Sequence, residues 1–356
     1  MELEEELRRK IAQIQPLDER SVALAKKRWD SIAHPLHSLG LLEDAIVTIA
    51  GAQGSHQVEL NKRCVTPFCA DNGVVAQGVT QSGQDVTTIV TKNFCSGEAS
   101  VCVMARVAGA DVIPVDIGVA QDVTDPGLRV HKIAYGTADI TQGPAMTREQ
   151  AADAILYGMN LVKELKEEGY RLIATGEMGI GNTTTSSAVA SVLLGAPVQS
   201  MTGRGAGLSD AGLARKIDAI RRGIAHNQPN PADPLDVLAK LGGFDIAGLC
   251  GVFLGGALEG VPVLMDGFIS SVAALCAVRL CPAAAKAVFA SHVSAEPAAH
   301  MVLDALGKAP LITANLHLGE GTGAVASIPL WDMALAVYRG CYSFAEGGIA
   351  PYTPQC

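Results

Sequence analysis

The amino-acid sequence predicts an α/β fold in which a parallel sheet is flanked by helices. Short apolar, β-rich segments alternate with helix-forming segments of about 10 to 15 residues, which is the pattern of βαβ units. The strand segments are apolar, as expected for strands buried on both faces. A composition of 49% hydrophobic residues with 38 glycines and 4% aromatic residues is typical of a compact α/β enzyme. The predicted strands are residues 63–70, 112–117, 171–175, 263–265 and 287–290.

The predicted helices lie before, between and after these strands. Residues 17–33 place charges between apolar positions, and the helix ends before Pro35 because the residue preceding a proline avoids the helical conformation. A second helix follows Gly40. Thr147 and Gln150 have the spacing of a capping box, which begins a helix. The remaining helices are predicted at 147–168, 209–225, 244–258 and 324–341.

Length and charge restrict the function to a few classes. The 356 residues predict one large domain and a smaller one. A net charge of −9 without a long Lys/Arg run excludes a nucleic-acid binder and favours a small-molecule partner. The acidic N-terminus does not resemble a secretory signal, and no apolar run reaches the ~20 residues of a membrane span, so we expect a cytoplasmic protein without membrane contact.

The cysteines predict neither disulfides nor a metal site. Nine cysteines are scattered mostly through apolar segments, and none forms a Cys-x-x-Cys pair. This pattern is typical of reduced, buried thiols. The sequence therefore implies neither a bound metal nor a cofactor.

A glycine-rich segment, residues 176–185, follows the third strand. Its glycines permit close backbone approach, the helix start beyond them offers N–H groups to an anion, and Glu177 could accept hydrogen bonds from ribose hydroxyls. An equally good local interpretation is a tight turn with Asn182 or a threonine as the helix cap. Thr184 stands where the dinucleotide fingerprint requires a glycine, so a nicotinamide dehydrogenase loses support.

A second glycine-rich segment, residues 203–210, precedes Lys216 by about two helical turns. Backbone N–H groups and a cation would suit a phosphate. Local sequence favours a different interpretation, with Ser209 as helix cap and Lys216 as a solvated surface charge.

Two further segments contain candidate catalytic groups. His292 follows the last strand, but no Gly-x-Ser-x-Gly elbow surrounds the serines beside it, so we assign it no catalysis. Glu320 is flanked by glycines before an apolar helix. Those glycines leave room for a planar ligand, and partial desolvation would raise the pKa of Glu320 toward that of a general base. The alternative is that Glu320 only interacts with the positive end of a helix.

Seven segments taken together resemble one family. In chain order they are 69–74 (CADNGV), 176–184 (GEMGIGNTT), 227–231 (NQPNP), 242–246 (GGFDI), 264–268 (LMDGF), 291–296 (SHVSAE) and 318–323 (LGEGTG). The order and content of these segments resemble nicotinate-nucleotide:dimethylbenzimidazole phosphoribosyltransferase, over about residues 39–345.

The resemblance implies both a fold and a reaction. The fold is a Rossmann-like sheet domain at 61–323, a small helical domain from 1–60 plus 324–356, and a homodimer. The reaction moves ribose 5-phosphate from nicotinate mononucleotide to 5,6-dimethylbenzimidazole or a related base, with inversion at C1′. The products are nicotinate and α-ribazole 5′-phosphate, a precursor of the cobamide lower ligand. Glu320 would be the general base.

The resemblance also implies roles for individual residues. The nucleotide and its phosphate would contact Glu177, Gly179, Asn182, Gly205, Lys216 and Ser294. The acceptor pocket would contain Ser82, Val90 and Leu318. The chain departs from the family pattern at Asn72, where histidine is common, at residues 34–40, and at Val90, where glutamine is common. These departures leave the preferred acceptor base open.

Two other functions are compatible with part of the sequence. A non-catalytic nucleotide-binding or sensing protein could keep the same fold and pocket, although it would not need Glu320. A dehydrogenase would need the missing dinucleotide loop.

Overall fold

The computed structural model describes residues 2–352 and contains a parallel seven-stranded sheet. The strands are β1 (Arg63–Ala70), β2 (Asp111–Val112), β3 (Val115–Gly118), β4 (Arg129–Val130), β5 (Leu172–Met178), β6 (Val263–Met265) and β7 (Val288–Ala290). Their order is β4-β3-β1-β5-β6-β7, and β2 pairs with β1. The predicted α/β class with a parallel sheet is confirmed.

The helices of the described residues are α1 (Glu2–Ile11), α2 (Glu19–Ser31), α3 (Leu41–Gln53), α4 (Asp85–Ser96), α5 (Ser100–Ala108), α6 (Arg148–Glu167), α7 (Asn182–Leu194), α8 (Val198–Met201), α9 (Asp210–Asn227), α10 (Pro234–Leu241), α11 (Phe244–Glu259), α12 (Phe268–Leu280), α13 (Ala299–Leu306) and α14 (Thr322–Gly340). The predicted capping box of Thr147 and Gln150 is present at the start of α6. In this part of the chain, no helix meets the length and hydropathy needed to cross a membrane.

The predicted strand at 112–117 is wrong as one continuous element. It is divided into β2 and β3, and Ile113 and Pro114 lie between them. Proline has no N–H to donate to a neighbouring strand, so it interrupts the hydrogen-bond ladder. Conversely, β5 continues past its predicted end at Thr175 to Met178, which brings Glu177 into the sheet.

Close helix contacts hold the layer on one face of the sheet. A Cβ atom on Gly158 of α6 would lie 2.1 Å from the carbonyl oxygen of Gly248 in α11. A Cβ on Gly251 would lie 2.0 Å from the carbonyl oxygen of Ile155. Only glycine permits this backbone approach, which explains part of the high glycine content.

Helices from both ends of the chain meet on the opposite face. The ring of Trp29 in α2 packs 5.2 Å from that of Tyr338 in α14, and Arg28 donates hydrogen bonds to the carbonyls of Tyr338 and Cys341. Helix α1 lies instead against α6, where Arg148 pairs with Glu4 at 3.0 Å. The division into domains 61–323 and 1–60 plus 324–356 stays a prediction.

The eight cysteines within residues 2–352 are all free thiols, and Cys356 lies outside the described residues. Six of the eight are buried, and burial raises the pKa of several of these thiols, including Cys64 and Cys69. Cys341 is exposed, so the prediction of burial is wrong there. It follows the last turn of α14, where the amphipathic helix ends.

Candidate active site

A cavity of about 330 Å³ opens at the carboxyl edge of the sheet. Loops that follow β5, β6 and β7 border it, together with the loop that precedes α14. Ligands of open α/β folds bind at this edge. Of the predicted site residues, the cavity is lined by Val90, Glu177, Gly179, Asn182, Gly205, Lys216, Ser294, Leu318 and Glu320. Ser82 lies on the loop beside the cavity but does not line it.

Lys216 is completely buried, which contradicts its interpretation as a solvated surface charge. Its Nζ donates a hydrogen bond to Thr183 Oγ1 at 2.8 Å. A Cβ on Gly205 would lie 3.4 Å from Nζ and 3.0 Å from Thr183 Oγ1, and Gly205 has φ +52°. Burial lowers the pKa of the Lys216 ammonium to about 8. Glycine at 205 therefore leaves space for a ligand beside a buried cation.

Thr183 is a site residue that the sequence interpretation did not single out. It belongs to the first turn of α7 and lines the cavity beside Lys216. Unpaired N–H groups and the helix dipole attract anions at such a terminus. The N-cap of α7 is Gly181, at φ +96°, so the interpretation of Asn182 as the cap is wrong. Ser209 does cap α9, through its hydrogen bond from the Gly212 N–H.

Glu177 belongs to a buried group of polar side chains at the end of β5. The side-chain amide of Asn182 donates to Glu177 Oε2 at 2.5 Å and to Asp245 Oδ2 at 2.9 Å. Burial raises the pKa of Glu177 to about 8 and that of Asp245 to about 6, with the amide hydrogen bonds opposing both shifts. Asp245 does not line the cavity but accepts a hydrogen bond from the lining residue Asn182, a contact that the sequence interpretation missed although Asp245 lies within one of the seven motif segments.

Glu320 lies in the cavity wall with its side chain directed to the start of another helix. The Val101 N–H, in the first turn of α5, donates to Glu320 Oε2 at 3.0 Å. Burial raises the pKa of the Glu320 carboxyl, and hydrogen bonds from the N–H groups of Val101 and Ser100 oppose this shift. Glu320 thus contacts the positive end of α5, and the alternative that this contact is its only role stays a prediction. This contact is compatible with a role of Glu320 as a general base, since Glu320 also lines the cavity.

Apolar side chains form part of the cavity wall. Val90 of α4, Val79, Met178 and Leu318 all line it, and Leu318 is 57% exposed. A flat aromatic ligand would find mainly apolar contact there.

A side chain joins the loop before α4 to the glycine-rich loop before α9. Gln81 Nε2 donates to the carbonyl of Ala206 at 3.1 Å and to that of Gly207. All three residues are near the cavity, and Gln81 and Ala206 line it. The loop that leads to Val90 is therefore tied directly to the loop that contains Gly205.

Within residues 2–352, no group of three or more His, Cys, Asp or Glu side chains is arranged to hold a metal ion. The cavity is instead bordered by one buried cation and by carboxyl groups with raised pKa values. This arrangement can hold a phosphate and remove a proton, which are the needs of a glycosyl transfer from a nucleotide.

Comparison with known proteins identifies first the class and then the family. A family model described as phosphoribosyltransferase matches residues 14–349. The nicotinate-nucleotide:dimethylbenzimidazole phosphoribosyltransferases of Acetivibrio thermocellus and Chloroflexus aggregans are 46% and 47% identical to this chain. The alignments cover 93% and 96% of this chain, and 95% and 97% of the two relatives. The chain belongs to the nicotinate-nucleotide:dimethylbenzimidazole phosphoribosyltransferase family, which confirms the resemblance found in the ordered motifs.

A solved structure agrees with this assignment. The crystal structure of CobT from Thermus thermophilus superposes with a TM-score of 0.89 at 38% sequence identity. The superposition covers 94% of this chain and 100% of that one. The fold of the family therefore extends over nearly the whole chain.

Proposed function

We propose that this chain transfers the ribose 5-phosphate of nicotinate mononucleotide to 5,6-dimethylbenzimidazole or a related base. The products are nicotinate and α-ribazole 5′-phosphate, which serves cobamide nucleotide-loop assembly. One observation supports this most strongly: the same cavity is bordered by buried Lys216, which contacts Thr183 in the first turn of α7, and by the half-buried carboxyl of Glu320.

In the proposed mechanism, Glu320 removes the ring N–H proton of the acceptor base. The other ring nitrogen forms a bond to C1′ of the ribose as the bond from C1′ to the pyridinium nitrogen breaks. That electron pair leaves with nicotinate, whose ring nitrogen becomes neutral. Attack on the face opposite the leaving group converts the β-nucleotide into an α-riboside.

The reaction makes few demands beyond alignment and one base. The cationic leaving group needs no protonation when it departs. Holding two substrates in line can supply about 7–11 kcal/mol of the barrier, and a general base contributes about 10²- to 10⁴-fold. The cavity residues are sufficient for both contributions.

The roles of the other site residues are also proposals. Gly179, Gly205 and Lys216 surround the phosphate. Thr183 is added to this group because its hydroxyl oxygen accepts a hydrogen bond from Lys216. Glu177, Asn182 and Ser294 contact the ribose and the nicotinate ring. Val90 and Leu318 border the acceptor, and Ser82 reaches it only if its loop moves toward the cavity.

A homodimer in the cytoplasm is the proposed working form. The family resemblance is its main support. A further argument is that Val107 and Val103 on α5 are 88% and 50% exposed, and apolar side chains on one helix face favour burial against a partner. Light scattering of the purified protein measures this mass directly.

Nicotinate release tests the proposed reaction. Purified protein with nicotinate mononucleotide and several benzimidazoles should release nicotinate only when a base is present, and a riboside phosphate should form in equal amount. A nucleotide-sensing protein would bind the nucleotide without this release. Binding without turnover across the tested bases would therefore favour the non-catalytic alternative.

Replacing Val90 should change the choice of acceptor. Because an apolar pocket separates ligands that differ by one methyl by only about 1–3 kcal/mol, related benzimidazoles should differ by roughly 10- to 200-fold at most. Val90→Gln adds a polar group and should shift the product ratio in competition between paired bases, with little loss of turnover on the preferred base.

The matched control is Ile89→Gln. Ile89 is the preceding residue of α4, is 52% exposed and does not line the cavity. Its product ratio should equal that of the unchanged chain. An unaltered ratio for Val90→Gln would place residue 90 outside the acceptor site.

The affinity for nucleotide should fall at alkaline pH. The lowered pKa of Lys216, about 8, means that its ammonium is charged below this pH and neutral above it. A neutral lysine attracts the phosphate less, so kcat/KM for the nucleotide should decrease above about pH 8 by up to about tenfold per pH unit.

Glu177 also has a pKa raised to about 8, so the contributions of Glu177 and Lys216 to the pH profile must be distinguished. The Glu177→Gln variant should keep the alkaline decrease, because Lys216 is unchanged in it. A profile that becomes flat in Glu177→Gln would assign the decrease to Glu177 and not to the lysine.

A further inference from the structure

The turn that contains Glu320 has an unfavourable backbone. Gly319, Glu320 and Gly321 have φ values of +89°, +63° and +97°. This left-handed region is open to glycine but is uncommon for a residue with a long side chain. Glu320 therefore holds this conformation because its surroundings impose it.

The strand behind the turn leaves no space for the turn to relax. A Cβ on Gly321 would lie 2.9 Å from the Thr175 carbonyl oxygen, and one on Gly176 would lie 2.4 Å from that of Glu320. The backbone of Glu320 thus rests directly on β5.

Asp266 holds the other side of the turn. It follows β6, is 3% exposed, and its own N–H donates to Thr175 Oγ1 at 3.0 Å. Its Oδ2 accepts from the Gly321 N–H at 3.2 Å, and its Oδ1 accepts from the Ala324 N–H at 2.9 Å. Both carboxylate oxygens are thereby used by the backbone just after Glu320.

His292 closes the back of this arrangement. Its Nδ1 lies 3.8 Å from Asp266 Oδ1 and 3.1 Å from Ser291 Oγ. A Cβ on Gly323 would lie 2.0 Å from His292 Nδ1, so the imidazole packs directly against the first turn of α14. His292 therefore borders the cavity as a residue that packs against α14.

We propose that Asp266 is a positioning residue for Glu320. Its carboxylate fixes the backbone of the left-handed turn, and this directs the Glu320 carboxyl to the acceptor. Asp266 lines the cavity, but both of its carboxylate oxygens accept backbone N–H groups of Gly321 and Ala324, so we assign it an action through Glu320 and not on the substrate. The inference rests on the proposed function, in which Glu320 is the general base.

The test is a double-mutant cycle of Asp266→Asn with Glu320→Gln, measured as single-turnover nicotinate release. Asparagine has the same shape but offers one acceptor oxygen to the two N–H groups. Since a misplacement of about 1 Å can cost 10²-fold in rate, Asp266→Asn alone should lower kcat by about 10- to 100-fold. Its KM for nicotinate mononucleotide should stay within about threefold, because Glu320 is not assigned to nucleotide binding.

The decisive measurement is the double variant. If Asp266 acts through Glu320, adding Asp266→Asn to Glu320→Gln should cause no further loss of turnover. If Asp266→Asn lowered turnover by the same factor in the unchanged chain and in Glu320→Gln, the positioning role would be wrong. Equal factors are expected when a substitution weakens the structure without acting through Glu320. Unchanged turnover in Glu320→Gln alone would instead show that Glu320 is not the general base. That result would contradict the proposed function and is distinct from a failure of the positioning role.

Asp116→Asn is the matched control. Asp116 is also buried, and its Oδ1 accepts the N–H groups of Gly118 at 3.1 Å and Val119 at 2.9 Å while its Oδ2 lies 3.2 Å from Lys132 Nζ, but it does not line the cavity. Its effect on turnover should be the same with and without Glu320→Gln. Asp266→Ser, which keeps one acceptor oxygen, provides a second variant. If thermal unfolding shows that neither Asp266 variant folds, the residue serves the fold itself and the proposal is wrong.

Discussion

Glu320→Gln is expected to lower kcat by about 10²- to 10⁴-fold, which is the usual contribution of a general base. Glutamine preserves the shape of the side chain and can still accept the Val101 N–H, so the left-handed turn and α5 should keep their contacts. Its amide cannot take the proton of the acceptor base. The KM for nicotinate mononucleotide should remain close to that of the unchanged chain. Steady-state release of nicotinate gives both constants.

Glu98→Gln is the control for this loss. Glu98 is an exposed carboxylate two residues before α5 that does not line the cavity. Replacing it removes the same charge near the same helix and should leave kcat unaltered. Full turnover in Glu320→Gln would exclude Glu320 as the base.

Lys216→Met should have the second largest effect, on the KM for the nucleotide. Methionine fills most of the buried space and removes the ammonium. A hydrogen bond to a charged group contributes about 1.5–3 kcal/mol, which corresponds to a rise in KM of roughly 10- to 150-fold. The contact is made in the ground state and the transition state alike, so kcat should change much less.

The comparison variant is Lys163→Met, which removes an exposed lysine of α6. Its KM should match that of the unchanged chain. A Lys216→Met protein that is folded by circular dichroism yet binds the nucleotide normally would disprove the phosphate contact. Methionine is preferred to alanine here because it avoids opening a cavity in the protein interior.

Local sequence patterns are sufficient for most of the sheet and for the longer helices α2, α6, α9, α11 and α14. Strands β1 and β6 have the predicted bounds, because apolar runs between turn-forming residues mark buried strands. Strand β4 and the helices α1, α4, α5, α8, α10, α12 and α13 are not among the elements predicted with bounds. Strand β4 has only two residues, which are too few for a periodic pattern.

The environment of the site residues was less predictable than their identity. The surroundings of buried Lys216 include Thr183, which is 33 positions away in the sequence, and Gly205, which has no side chain to occupy the space beside Nζ. Asp245 and Asp266 contact their partners across 63 and 55 to 58 positions. No local pattern contains such contacts. The ordered motifs included both aspartates, but only the fold shows what each one touches.

The Gln81 bridge has a consequence for how the two substrates affect one another. One ligand that orders the loop of Gly205 also restrains the loop that leads to Val90, since the amide of Gln81 joins them. Thermodynamic coupling of this kind is reciprocal. The factor by which bound nucleotide strengthens the affinity for the acceptor must equal the factor by which bound acceptor strengthens the affinity for the nucleotide. A favourable coupling through Gln81 would make the ternary complex more populated than two independent sites would allow.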